Sequence, residues 1–375
     1  MTSEARRRDR RFLARDSDPG DLQVVKTKGG FVFDARGKRY IDFITGWCVG
    51  NLGWANEEVE DAIRAFKGPN YVYPPHLYAP WSELAELLIS IVPGKLKKCI
   101  RTATGTESVE AALQAARIHT KREKFIALED SYHGNSIAVT DIPRKVPPPR
   151  DHKAVDRLET LLKRRDIAAF ILEPIPCNLG VLIFEKDVMQ RVQQLCRKYG
   201  TLLIADEVAD GFGRTGTLFA CERYDLQPDI LCLAKAITGG YAPMGATIVT
   251  DAVARSIRDF ELYSTWGWHP LSVAAALANL RYIIRHREKL LGNANAVSDY
   301  MRDRLVQMEF DEVRAGGMAI GADRKNASDA IDRCRKQGLL LAGYDDTLTL
   351  FPPLTTTMKT ARKAMDILES VIARR

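Results

Sequence analysis

Leu202-Leu203-Ile204-Ala205-Asp206-Glu207-Val208 starts as an apolar run and ends on two carboxylates. Leu202–Ala205 has the length and composition of a core strand, and Asp206 is a residue that a core strand would not choose. A second run, Ile230-Leu231-Cys232-Leu233-Ala234, ends on Lys235. A glycine-rich turn follows each: Gly211-Phe212-Gly213-Arg214-Thr215-Gly216 after the first, Gly239-Gly240-Tyr241-Ala242-Pro243-Met244-Gly245 after the second. Taken singly, an Asp at a strand end is an ordinary cap or turn former, and a Lys is ordinarily solvated. At the ends of two successive apolar strands, an acid and an amine can meet in one site.

Strand and helix patterns alternate outward from this pair. Helix 106–118 precedes strand 124–128, helix 154–163 precedes strand 167–172, and helix 186–198 precedes strand 201–205. Strand 230–233 and a last strand near 245–249 follow. Ile167–Leu172 and Thr201–Ala205 are apolar throughout, so both faces of these strands are expected to be covered. The pattern predicts an α/β fold with a mostly parallel central sheet covered by helices. Ligands of such sheets bind at the carboxyl ends of the strands, where Asp206 and Lys235 lie. The pair suits pyridoxal 5'-phosphate: a lysine bonds the cofactor aldehyde, and a buried carboxylate keeps the ring nitrogen protonated so that the ring accepts electrons.

Elsewhere, Phe31–Asp34 and Arg39–Phe43 read as two short strands around an Asp-Ala-Arg-Gly turn. Amphipathic helices are predicted over 56–67, 81–92, 271–287 and 357–373. The expected organisation is a flexible arginine-rich arm (1–20), the N-terminal part of a small domain (21–60), a large cofactor-binding domain (61–288) and a C-terminal small-domain part (289–375). The smaller α+β domain would thus come from both chain ends.

The chain has 375 residues, long enough for a large core. No apolar stretch approaches the length of a membrane span and the N-terminus carries no hydrophobic leader, so a cytoplasmic protein is expected. Seven cysteines are scattered without a C-x-x-C or Cys/His cluster, which argues against a metal site. The net charge of +7 owes much to Arg6, Arg7, Arg8, Arg10, Arg11 and Arg15. With no aromatic interleaving and no nucleic-acid motif, no nucleic-acid partner is expected.

Thr104-Gly105-Thr106-Glu107-Ser108 precedes a helix. Small residues there present free amides and a positive dipole end to a phosphate, although an ordinary N-cap has the same composition. Ser131-Tyr132-His133-Gly134 follows strand 124–128 at another carboxyl end, where an aromatic ring can stack on a cofactor.

In this order, "YIDFITGWCVGNLGW", "GTESVEAALQAAR", "SYHGNS", "ILEPIPCNLGV", "LLIADEVADGFGRTG", "LAKAITGGYAPMGA", "STWGWHP" and "LFPPL" resemble the class III aminotransferases, a subgroup of the fold-type I pyridoxal-phosphate enzymes. The pieces span residues 40 to 354. The resemblance implies that Lys235 bonds the cofactor and shuttles the proton, and that Asp206 pairs with the ring nitrogen. It further implies that Val208 and Tyr132 pack on the two ring faces, with His133 and Glu173 near the ring. Gly105 and Thr106 would hold the phosphate. Thr265 resembles a threonine that reaches a phosphate across a dimer interface, and Trp47 a residue that lines the substrate pocket. A homodimer with shared active sites is implied, with a small amine donor and an oxo-acid acceptor exchanged by a ping-pong mechanism.

Three departures bear on the substrate. Asn135 stands where acetylornithine-type enzymes place a carboxylate-binding arginine. Asn178 and Thr349 stand where ornithine- and 4-aminobutyrate-type enzymes place a glutamate–arginine switch. Loss of the guanidinium fork favours a donor with a terminal or non-α amine, of the amine or ω-amino acid type. The alternatives on the same fold are an aminomutase of the glutamate-1-semialdehyde type, a racemase, a phospho-amine lyase, or a non-catalytic cofactor-binding protein.

Overall fold

The computed structural model describes residues 4–15, 20–344 and 346–373. Near the N-terminus, β1 (Val24–Lys28), β2 (Phe31–Asp34) and β3 (Arg39–Asp42) form an antiparallel meander. The central sheet contains β4 (Leu96–Thr102), β5 (Lys124–Leu128), β6 (Arg144–Val146), β7 (Ile167–Leu172), β8 (Leu202–Asp206), β9 (Ile230–Leu233) and β10 (Gly245–Thr250). Its order is β4-β10-β9-β8-β7-β5-β6. β10 runs antiparallel to both β4 and β9, while the pairs from β9 to β6 are parallel. The carboxyl ends of β4, β5, β7, β8 and β9 therefore share one edge of the sheet.

Side-chain alternation explains why this sheet is covered on both faces. On β8, Ile204 joins Ile171 of β7 and Ile230 of β9 beneath Val109, Ala112 and Ala116 of helix Gly105–Thr120. Leu203 and Ala205 turn to the opposite core with Phe170, Leu231 and Leu233, under helices His152–Leu162 and Lys186–Tyr199. Every residue of β7 and β9 is buried. Each such aliphatic side chain stabilises the sheet by about 1.5–3 kcal/mol relative to exposure.

The chain returns to the meander near its end. β13 (Leu339–Leu340) pairs in parallel with β3, Leu339 opposite Ile41 and Leu340 opposite Asp42. Beside it, β11 (Glu312–Gly316), β12 (Ala319–Asp323), β15 (Thr347–Leu350) and β14 (Ala342–Tyr344) form a third sheet, antiparallel throughout.

The structure adds two helices to those expected. Within the arm expected to be flexible, Glu4–Phe12 form a helix, supported by an i,i+4 Glu4–Arg8 ion pair and burying none of its residues. The helix expected over 271–287 runs Pro270–Arg285, and a second, Arg287–Gln307, follows it past His286. The helix expected from 81 begins at Ala79, because Pro80 fits the first turn of a helix, where no N–H partner is lost.

Candidate functional site

A cavity of about 520 Å³ opens at the carboxyl edge of the central sheet. Gly105, Thr106, Tyr132, His133, Glu173, Asp206, Val208 and Lys235 line it, so eight of the ten residues singled out in the sequence come together. Asp206 closes β8 opposite Cys232 and is 3% exposed. Its Oδ2 lies 2.8 Å from His133 Nδ1, and its Oδ1 accepts from the Val208 amide at 3.1 Å. The carboxylate is thus fixed in direction. His133 Nε2 is buried and has no partner.

Lys235 begins a tight turn, Lys235–Ile237, just past β9. Its φ of +41° places a non-glycine residue in the left-handed region, at a cost of about 1 kcal/mol or more. Surrounding bonds hold the turn there. Asn279 Nδ2 donates to the carbonyls of Ala236 and Ile237 at 2.8 and 3.2 Å, and Thr238 Oγ1 donates to Ala242 O at 2.6 Å.

The helix Gly105–Thr120 points its N-terminus into the cavity. Thr104 Oγ1 accepts from Glu107 N, and Glu107 Oε2 accepts from Ala103 N, which fixes the first turn. The amides of Gly105 and Thr106 have no intrahelical acceptor and face an anion-ready end of the dipole. A Cβ on Gly105 would come within 2.9 Å of Val208 Cγ1, and one on Gly134, at φ +131°, within 2.8 Å of Thr106 Oγ1. Close approach of three loops thus requires glycine at both positions.

Glu173 follows β7 and is 6% exposed; its Oε2 is fully buried and unpartnered. Burial, reinforced by the charges of Asp210 and Asp206, pushes its carboxyl well above the usual range. Two further buried acids lie behind it. Asp210 accepts from Ile175 N at 2.9 Å and from Cys177 Sγ at 3.4 Å. Glu207 accepts from Ala220 N and Cys221 N, and burial raises its pKa to about 7. Burial raises the Cys48 thiol too, but its hydrogen bond with Cys177 and the charges of Arg214 and Lys235 outweigh this and bring it to about 7.

Arg214, entirely buried, joins the chain ends to the loop after β8. It donates to Met318 O (2.9 Å), Pro352 O (2.5 Å), Thr45 Oγ1 (3.3 Å) and Asn51 Oδ1 (2.7 Å). None of these, nor Glu207, Asp210, Thr238 or Tyr241, was identified from the sequence as a site residue. The "GFGRTG" and "GGYAPMG" stretches that hold Arg214 and Tyr241 were the available signal.

Trp47 and Thr265 lie outside the cavity. Trp47 packs on Tyr344 and Phe351 at centroid distances of 5.8 and 5.2 Å, next to Val49, which does line the cavity. Thr265 is exposed, and its carbonyl accepts from Tyr71 Oη at 3.1 Å. Asn135 is exposed. Asn178 Nδ2 donates to Asp130 O, leaving Oδ1 buried without a partner, and Thr349 Oγ1 is likewise buried and unpartnered. Among the described residues, no arginine lines the cavity.

The residues fit pyridoxal phosphate. A helix N-terminus kept bare of side chains, an oriented buried acid, a lysine at the next strand end and an exposed aromatic, Tyr132, border one space. Among the described residues, no group of three or more His, Cys, Asp or Glu is placed to hold a metal ion, and no helix is long and apolar enough to cross a membrane.

Comparisons with known proteins agree with this geometry. A family model described as aminotransferase class-III matches residues 12–146 and 141–372. An acetylornithine aminotransferase of Methanosarcina acetivorans is 35% identical, over 96% of this chain and 94% of its own. A Bacillus anthracis aminotransferase superposes with a TM-score of 0.91 at 27% identity, covering 99% of this chain and 98% of that one. A PLP-bound amine transaminase from an uncultivated Pseudomonas species superposes with a TM-score of 0.89 at 28% identity, over 97% and 98% of the two chains.

Proposed function

The chain belongs to the class III aminotransferase family, whose members depend on pyridoxal phosphate, and from that premise we propose that it takes nitrogen from an amine or ω-amino acid type donor and passes it to an oxo-acid. The fold-type I architecture is that of its structural neighbours. One observation carries the donor assignment: among the described residues, no arginine stands in the wall of the cavity that holds Lys235 and Asp206. An α-carboxylate would find no guanidinium fork there, so the reacting amine is the group that needs no carboxylate beside it.

When bound, the cofactor supplies an aldehyde for the amine and a protonated ring that takes up electrons. The protein does the rest. The amides of Gly105 and Thr106 at the helix N-terminus hold the phosphate. Asp206, aimed by His133, holds the proton of the ring nitrogen. Val208 and Tyr132 enclose the ring and exclude water, and Glu173 completes the wall beside it. With the cofactor bound, Lys235 Nζ would move the proton that converts donor to carbonyl product. The same Nζ moves it back in the second half-reaction, which makes the cycle ping-pong.

A second copy of the chain completes the site in this reading. Tyr71, Leu77, Tyr263 and Trp266 are exposed, and Tyr71 bonds the Thr265 carbonyl and meets Trp266 edge-on at 5.7 Å. Such an apolar face suits a partner, and Thr265 would then reach the partner's phosphate site. Sedimentation should show a dimer.

The direct test is the visible absorption of the cofactor-loaded protein. Its band should fade with an amine and return with an oxo-acid. A band that no amine of either type changes would refute the donor assignment. A change that needs no acceptor for turnover would favour the mutase, racemase or lyase chemistry.

A further inference from the structure

Of the two carboxyl groups that line the cavity, only one is spoken for. Asp206 is bonded to His133 and to the Val208 amide. Glu173 is 6% exposed, and its Oε2 is buried in the cavity wall with no partner. The nearby donors are spent elsewhere: Ile175 N and Cys177 Sγ both bond Asp210. A buried carboxyl oxygen without a partner costs free energy unless a ligand meets it.

The surroundings define what that ligand carries. Among the described residues that line the wall, Lys235 is the only lysine or arginine. Glu173, Asp206, Glu207 and Asp210 are gathered behind and around it, with Arg214 the buried counter-charge, itself turned toward carbonyls and amide oxygens. Tyr132, 58% exposed, presents its ring at the cavity. Trp47 packs edge-on against Tyr344, 51% exposed, and the Tyr344 hydroxyl is raised by burial and by the charge of Glu173. A lone carboxyl oxygen near aromatic rings, with no arginine, is a setting for an organic cation and against a carboxylate.

We propose that the preferred donor is a diamine: one amino group reacts beside Lys235, and the second, as an ammonium, is held by the Glu173 carboxylate in the cavity wall that Tyr132 borders. This rests on the aminotransferase reading above and narrows its donor. Binding is a balanced exchange. The neutral Glu173 carboxyl gives its proton to solvent, and the ammonium–carboxylate pair takes its place. The KM for a diamine therefore falls as pH rises, more steeply than that for a monoamine of the same length.

The test uses three probes of one chain length with the holoenzyme: putrescine, butylamine and 4-aminobutanoate. A charge-assisted hydrogen bond in a buried site predicts kcat/KM for putrescine about tenfold or more above butylamine. The ranking places 4-aminobutanoate last. Glu173→Gln should bring the putrescine-to-butylamine ratio close to one. The wild-type panel needs no variant, so a misfolded Glu173→Gln protein leaves the test intact. Equal rates for putrescine and butylamine, or a lead for 4-aminobutanoate, would overturn the proposal while leaving an active aminotransferase. So would a Glu173→Gln enzyme that loses cofactor affinity but keeps the ratio, because Oε2 would then serve the cofactor. If no amine passes its nitrogen to any oxo-acid, the broader donor reading fails with it.

Discussion

Asp206 uses both carboxylate oxygens, on His133 and on the Val208 amide, whereas Glu173 in the wall of the same cavity keeps Oε2 buried and alone. The contrast extends to the two walls these residues represent. The cofactor wall comes from loops that leave the carboxyl ends of β4, β5, β8 and β9, held by a sheet whose middle strands are fully buried. The donor wall draws on Val49 and Glu173, and outside the lining Asn178 Oδ1 and Thr349 Oγ1 are also buried and unpartnered. The acid of the first wall has its partners, and the acid of the second keeps one oxygen for something the protein does not supply.

The largest break in this comparison is Lys235→Ala. The cofactor wall should keep its shape while turnover falls by about a thousandfold or more, because the proton loses its carrier; steady-state kinetics with saturating cofactor reads it. Retention of more than a tenth of the activity would remove Lys235 from the chemistry.

Next comes the seam between the walls. Arg214→Gln leaves the carbonyls of Met318 and Pro352 short of their donors and should lower stability by about 3–5 kcal/mol in urea unfolding. The folded fraction should show a larger rise in donor KM than loss of cofactor affinity. An equal loss of both would mean that the two walls are not separable.

A smaller effect tests the buried acids behind the cavity. Glu207 has its folded pKa raised by burial to about 7, above the usual carboxylate range. A raised folded pKa means that the folded state holds a proton that the unfolded state has already released. Its contribution is fully present below the unfolded value near 4.3 and is lost as pH rises through about 7, by about 4 kcal/mol. Glu207→Gln should therefore gain stability relative to the parent across that window. A flat difference from pH 4 to 8 would disprove the assignment.

The smallest effect belongs to Trp47. Leu in its place loses two ring contacts of about 0.5–1.5 kcal/mol each, which should lower stability by about 1–3 kcal/mol with cofactor affinity unchanged. Urea unfolding and a cofactor titration separate the two.

The same division marks what could be read in the sequence. β5, β7 and β9 have the bounds that their apolar runs predict, since a strand covered on both faces writes itself as a continuous hydrophobic stretch. Asp206 and Lys235 were legible as polar ends to such runs. The bond from His133 to Asp206 was not, because it joins residues far apart in the chain on two different strand ends. Nor was the reversed direction of β10, whose composition matches that of its neighbours. Arg214 sat in a quoted motif as a turn residue, and nothing local says that its guanidinium crosses to Pro352. Glu173 was legible only by resemblance; its unpartnered oxygen is a property of packing.

The parallel pairing of β13 with β3 has a consequence in time. β1 to β3 leave the ribosome early, yet the strand that completes their sheet is made only near the end of synthesis, along with β14 and β15. The central sheet, in contrast, has all its strands once residue 250 has emerged. A nascent chain can thus hold every residue that lines the cavity, from Val49 to Met244, while the sheet of β1 to β3 still waits for its last strand.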